Sequence, residues 1–220
     1  MTPETISQSI ARDILQGRFP PGSVLPQGDL AQRFGVSRIP IRDALAQLAR
    51  SGLIALAPNR RARVIAMAAA DITEAFDLRL MLECDLLRRA IPRMSAADRQ
   101  AIDYALARSN LEARQDNWAE GDRLFHAALY APAARPRQTA MVDRLRLACQ
   151  AQIAGYGRLP DQTDQWLADH ARIVRLCRLS ATEAAIAALA NHLTEARDAL
   201  LSAQTKEQTK EKGRSQGPAP

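Results

Sequence analysis

The stretch Gly35-Val36-Ser37-Arg38-Ile39-Pro40-Ile41 constrains the fold more than any other, because it ends one helix and starts the next within three residues. Gly35 suits the left-handed conformation that closes a helix, Ser37 suits an N-cap, and Pro40 suits a first helical turn, where its missing N–H costs nothing. Behind it Ile41, Leu45 and Leu48 recur at i, i+4 and i+7, giving this helix one apolar face before Gly52 ends it. Ahead of it Leu30, Ala31 and Phe34 mark a short helix. Ile6, Ile10 and Ile14 mark an earlier one that Gly17 and Pro20-Pro21-Gly22 stop. Val24-Leu25 reads as a short strand, and Leu53–Leu56 and Val64–Ala66 flank a basic turn at Pro58-Asn59 as a hairpin. Helix, helix, helix, hairpin is the order of a winged helix-turn-helix, which accounts for residues 1–66.

From Asp71 the apolar spacing is helical, and Pro92, the stretch 133–136 and Pro160 divide it into six helices over 71–91, 95–115, 117–130, 137–157, 161–179 and 181–203. Short connections favour an antiparallel bundle, placed at 67–205. Residues 206–220 lack apolar anchors and read as a disordered tail. The expected fold class is therefore mainly α: a winged helix with a small β-hairpin wing, then an all-α antiparallel bundle.

Charge is unevenly distributed. Residues 1–66 hold nine Arg against four acidic residues, which accounts for five of the chain's net +6 and puts the excess where phosphate contacts are wanted. Cys84, Cys149 and Cys177 are odd in number and lack metal or disulfide spacing, which implies reduced thiols and a cytoplasmic protein. The N-terminus has no basic region followed by an apolar run, so neither secretion nor a membrane partner is expected.

Arg38 and Arg42 stand one helical turn apart at the N-terminal end of the third helix, the end that meets base edges in a recognition helix. An Arg fork donates two hydrogen bonds to guanine, worth about 1–3 kcal/mol of discrimination. Two solvated surface arginines fit the same spacing. With LAQRF before it, LAQLARSGLI after it and the basic hairpin PNRRARV, this segment resembles the N-terminal domain of GntR-family regulators over about residues 6–66. The resemblance implies that Arg38 and Arg42 read bases in operator DNA, with Ser37 beside them, and that Arg60, Arg61 and Arg63 on the wing contact phosphate or the minor groove. The chain departs from the family where a Glu-Arg pair commonly opens the second helix, having Gln27 and Gly28. It departs again at the wing tip, where Arg61 replaces a glycine.

The three histidines, His126, His170 and His192, all fall in helices of the second region. Trp118, Asp122, Phe125 and Leu129 form one stripe, so Asp122 faces inward with His126 one turn on, and a carboxylate buried there needs a partner or a metal. Trp166, Ile173, Val174 and Cys177 turn His170 inward, and small residues surround His192. One carboxylate and three imidazoles suit a divalent first-row metal, with Zn, Ni and Mn all compatible. Taken singly, each histidine is more readily a satisfied core or surface residue than a ligand. DRLFHAAL, the later Asp-His and the final NHL are similar to the FCD domain of the FadR subfamily of GntR regulators, of the six-helix, VanR-like type. That similarity implies Asp122, His126, His170 and His192 as the ligand set. Arg79 is also inward-facing, with Glu83 one turn on. It forms either an internal Arg–Glu pair or, by resemblance to the domain's early RxxxE, a clamp for an effector carboxylate.

These readings describe a transcriptional repressor, not an enzyme. It is expected to be a homodimer on a pseudo-palindromic operator, with a small organic acid controlling DNA affinity through the metal. Two alternatives remain: a metal-dependent hydrolase, disfavoured because catalytic zinc is built from three protein ligands and a water where four protein ligands are expected here, and because no separate general base stands out, and a constitutive DNA-binding protein whose bundle only dimerises.

Overall fold

The computed structural model describes residues 1–57, 61–115, 118–155 and 163–215, with side chains as far as 209. The N-terminal unit comprises helix α1 (Pro3–Leu15), strand β1 (Val24–Leu25), α2 (Gln27–Phe34), α3 (Arg38–Arg50), β2 (Ile54–Leu56) and β3 (Ala62–Val64). Thr2 caps α1 by accepting from the Thr5 N–H at 3.3 Å, and α2 closes on Gly35 at φ +63°. The hairpin strands β2 and β3 are antiparallel, with Ile54 opposite Val64. β1 adds to the other side of β3, with Val24 opposite Arg63, so the wing is a three-stranded sheet in the order β1-β3-β2. Ile6, Ile10, Ile14, Leu30, Ile41, Leu45 and Leu48, the residues whose spacing defined the helices, form the core under it.

Among the described residues six α-helices follow: α4 (Ala69–Ala90), α5 (Ala96–Glu112), α6 (Trp118–Tyr130), α7 (Pro136–Gly155), α8 (Thr163–Arg178) and α9 (Thr182–Ser215). Of the expected disordered tail, residues 206–215 continue the last helix and residues 216–220 lie outside the described residues. The last helix was expected to end near 203, yet α9 runs to Ser215. Extending an existing helix is far easier than nucleating one, and TKEQTKEK is built from tolerable helix formers with no Gly or Pro before Gly213. Apolar anchors are needed to dock such a segment, not to form it. Among the described residues no helix is long and apolar enough to cross a membrane.

Helix α7 belongs to both units. Residues 149–153 are buried on every side. Val142, Cys149 and Ile153 join the bundle core, while Ala151, with Leu147 beside it, joins the core of the winged helix. The junction is tight enough to require glycine on each side. A Cβ on Gly17, which sits at φ +76°, would lie 2.6 Å from the Ala154 carbonyl oxygen, and a Cβ on Gly155 would collide with the Pro21 ring.

Two alanine substitutions separate backbone strain from this contact. Gly35 has a positive φ but nothing within 4 Å of its added Cβ, so Gly35→Ala should cost only the left-handed strain of about 1–2 kcal/mol. Gly17→Ala adds a clash with a backbone carbonyl and should cost a further 1–3 kcal/mol or so. Urea denaturation compares the two, and equal losses would show that the units do not meet through Gly17.

Candidate metal centre and nucleic-acid interface

The first turn of α3 is open to solvent. Arg38 and Arg42 are both exposed there, and Ile39 between them is 68% exposed. Ser37 occupies the N-cap but makes no capping hydrogen bond with its side chain, which corrects the expectation that it caps α3. An N-cap oxygen is normally bonded by the N–H of the second or third helical residue. The third residue here is Pro40, which has none, and the Ser37 hydroxyl stays exposed. Arg63 donates from Nη1 to the Gly22 carbonyl at 3.0 Å, bracing β3 against the turn before β1. Arg61 is exposed, and Arg60 lies outside the described residues. Ile39 was missed because apolar residues were read as core markers; its position between two outward arginines was the available signal.

The three histidines meet inside the bundle. His126 comes from α6, His170 from α8 and His192 from α9, and one ring nitrogen of each lies within 4.8 Å of the others. Asp122, one turn before His126, brings Oδ1 to 3.6 Å from His126 Nε2 and 3.8 Å from His170 Nε2. Its other oxygen, Oδ2, accepts from Arg146 Nη2 at 2.5 Å and Gln150 Nε2 at 2.7 Å. The predicted four-residue set is thus assembled, with one carboxylate oxygen committed to α7 and one facing the imidazoles.

The hydrogen bonds behind the rings fix which nitrogens face the centre. Tyr130 donates its hydroxyl to Glu83 Oε2 at 2.7 Å, so toward His126 Nδ1, 3.0 Å away, it serves as acceptor. The proton then sits on Nδ1 and the lone pair on Nε2, which is buried without a partner. His192 Nδ1 lies 3.4 Å from Asp169 Oδ2, which favours the same arrangement there. Both nitrogens of His170 are buried and unpartnered, and its ring stacks on Phe125 at 4.2 Å between centroids. Burial, reinforced by neighbouring Arg146, holds the His126 imidazole far below its ordinary pKa. Burial and the nearby His192 push His170 down to about 3. Both are therefore neutral near pH 7, the form that ligates metal.

Beside the centre lies a buried ion network. Glu83 on α4 has no exposed surface, accepting from Arg79 Nε at 2.8 Å on Oε1 and from Arg146 Nη1 at 2.9 Å on Oε2. Burial alone would raise its pKa, but the charges of Arg146 and Arg79 outweigh it and the carboxyl stays below its usual range. Arg79 also lies 4.5 Å from the Phe76 ring centroid, beside its ion pair with Glu83. It also lines, with Trp118, Asp122, Arg146, Trp166 and His192, a cavity of about 40 Å³. Sequence reasoning missed Arg146, Gln150, Tyr130 and Asp169. The last two had a signal, since Tyr130 follows His126 by four residues and Asp169 precedes His170; the α7 pair had none.

Residues 2–64 match the family model "Bacterial regulatory proteins, gntR family", and residues 74–195, more than half of the chain, match that of the FCD domain. The chain is 31% identical over 129 residues to the HTH-type transcriptional repressor RspR of Escherichia coli (strain K12), a match covering 57% of each protein, so it spans little more than half the length of that relative. Its fold is similar to that of E. coli McbR/YncC, at a TM-score of 0.79 and 19% identity over 92% of this chain and 98% of that one. It is also similar to a GntR-family transcriptional regulator of Pseudomonas syringae pv. tomato str. DC3000, at a TM-score of 0.55 and 27% identity over 95% and 88%. The family is one of regulators, and the hydrolase alternative falls away.

The ion network yields a stability prediction. Glu83→Gln keeps the shape but removes the charge that Arg79 and Arg146 share, and breaking a buried pair from one side should cost about 3–5 kcal/mol. Since the folded carboxyl titrates below its ordinary value of 4.5, its contribution is full above that pH and fades as pH falls through the folded value. Urea midpoints of wild type and variant should therefore converge toward acid. A Glu83→Gln protein as stable as wild type at pH 7 would sink this account.

Proposed function

Because the chain belongs to the gntR family of bacterial regulatory proteins and carries an FCD domain, we propose that it is a homodimeric, cytoplasmic, DNA-binding repressor whose operator affinity is set by a small organic acid held at a metal site in its bundle. One observation carries the metal part: buried imidazole nitrogens of His126 and His170 point at the centre with no hydrogen-bond partner. Leaving such groups unsatisfied costs about 1–3 kcal/mol each, which a ligated ion removes.

Asp122, His126, His170 and His192 are the ligands, and their donor set admits Zn, Ni or Mn. A divalent ion there supplies an electrophile for the effector's carboxylate. The chain's own groups do the rest. Tyr130 and Asp169 orient two imidazoles from behind, Arg146 and Gln150 hold Asp122, and Arg79 places positive charge on the cavity where the acid enters. Trp118 and Trp166 wall the same cavity and limit water. On α3, Arg38 and Arg42 read guanines, Ile39 meets a thymine methyl, and Ser37 with the wing arginines Arg60, Arg61 and Arg63 contacts the backbone or minor groove. Leu78 and Met81 of α4 and Met141 of α7 are large exposed apolar residues. They lie on two helices tied by Gln138, which donates to the Leu82 carbonyl at 2.9 Å, and they offer a surface to the second copy that a pseudo-palindromic operator needs.

Two experiments test this reading. Arg42→Ala should weaken operator binding by about 1–3 kcal/mol and relax preference at one base pair per half-site, as read from binding to a randomised duplex pool; unchanged preference would remove α3 as the reading element. Purified protein should hold about one divalent ion per chain, and His170→Ala should lose most of it, since four ligands act together. That variant should keep operator binding but no longer release DNA to the effector. Normal release from metal-free wild type would end the metal reading, and absence of any response to organic acids would favour a purely dimerising bundle.

A further inference from the structure

Residues 65–68 join the two units, and two buried glutamines grip them. Gln152 of α7, with no exposed surface, donates from Nε2 to the Ile65 carbonyl at 2.9 Å. It also accepts from the Met67 N–H on Oε1 at 3.2 Å. Gln204 of α9, also buried, donates to the Met67 carbonyl at 2.7 Å. Both amides sit where apolar side chains would fill the space more cheaply, unless the backbone they hold must be kept in one place.

The gripping helices are the ones that build the centre. Arg146 and Gln150, which hold Asp122 Oδ2, precede Gln152 by less than two turns of α7, and α9 carries His192 ahead of Gln204. Two atoms bonded to one ion at about 2.0–2.2 Å each lie no more than about 4.4 Å apart, whereas the three imidazole atoms span up to 4.8 Å. Binding an ion therefore draws the three rings together, and through them bears on the helices that carry them. α7 has little freedom to bend locally, since residues 149–153 are enclosed on all sides and packed interiors transmit displacement. Room for the winged helix to respond exists in a cleft of about 610 Å³ between the units, lined by Ser7, Arg12, Gln47, Arg123 and by Gln150 itself.

We infer that Gln152 and Gln204 are positioning residues that carry the state of the histidine–aspartate centre to the linker at 65–68, and through it to the winged helix. This rests on the metal reading above and deepens it by naming the route of regulation.

Hydrogen exchange on the full-length protein tests it, with zinc alone as the probe against chelator-treated protein. In wild type, zinc should slow exchange at least threefold both in α6, α8 and α9 and in peptides spanning residues 62–70. In the double variant Gln152→Met/Gln204→Met, zinc content and the slowing in α6 and α8 should persist, while the zinc-dependent difference over 62–70 disappears. A merely structural role would speed exchange there equally with and without zinc and leave the difference intact, which would overturn the inference. Zinc uptake by wild type with no change over 62–70 would overturn it as well while leaving the metal reading standing, and that comparison needs no variant that must fold. No zinc uptake at all would remove the metal reading and this route together.

Discussion

The Glu83 carboxylate, sealed from solvent between Arg79 and Arg146, is the interaction on which the bundle's interior depends. A single buried charge would cost several kcal/mol, so α4 and α7 must approach closely enough to supply both guanidinium groups, and α6 must supply the Tyr130 hydroxyl. Those demands fix three helices relative to each other in a way apolar packing alone does not, because hydrophobic contact is non-directional. Arg146 then reaches past Glu83 to Asp122, and the His126 tautomer follows from the Tyr130 proton. The candidate centre is thus an outgrowth of the ion network: the same guanidinium that neutralises Glu83 orients the carboxylate facing the imidazoles.

The N-terminal unit was legible because its signals are local. Gly35 and Gly52 punctuate helices at positive φ, Ile41, Leu45 and Leu48 mark a single buried face, and short elements leave few other ways to bury them. Asp122 and the histidines were legible by the same logic, since each sits in a stripe whose apolar members point inward. Arg146 and Gln150 were not. Periodicity reveals a polar residue as misplaced only when a helix has a polar face to compare it with, and α7 is buried on both faces where those residues lie. In sequence, Arg146 follows Arg135, Arg137 and Arg144 and looks like one more surface arginine. The length of α9 escaped for a different reason: composition reports whether a segment can dock, and helices extend without docking.

Sharing α7 between two cores also changes what the division into domains means. A boundary near 66 describes the covalent chain, where Ile65 to Ala68 leave the wing and enter α4, but Leu147 and Ala151 belong energetically to the winged helix. The close approaches of Gly17 to Ala154 and Gly155 to Pro21 leave no layer of adaptable side chains between the units at that point. On the proposed route, a displacement of α7 would meet no soft layer at that point and would pass on to the winged helix.

The size of the cavities gives that transmission a direction. The spaces beside Asp122 are small, about 40 Å³ each. Pockets that enclose organic ligands are closer to 300–1,000 Å³. For the proposed organic acid to reach Asp122, Arg79 and the imidazoles, the walls would have to give, and Trp118 and Trp166, which border both spaces, are the bulkiest of them. On the proposed reading, the compact arrangement would bind such an acid worse than an opened one. Unequal affinity for two arrangements is the one thermodynamic requirement for an effector to shift an equilibrium, and here it arises from volume before any specific contact is counted. If the compact arrangement is the one that grips the linker through Gln152 and Gln204, acid binding works against that grip, and release of DNA is the sign of response that the packing favours.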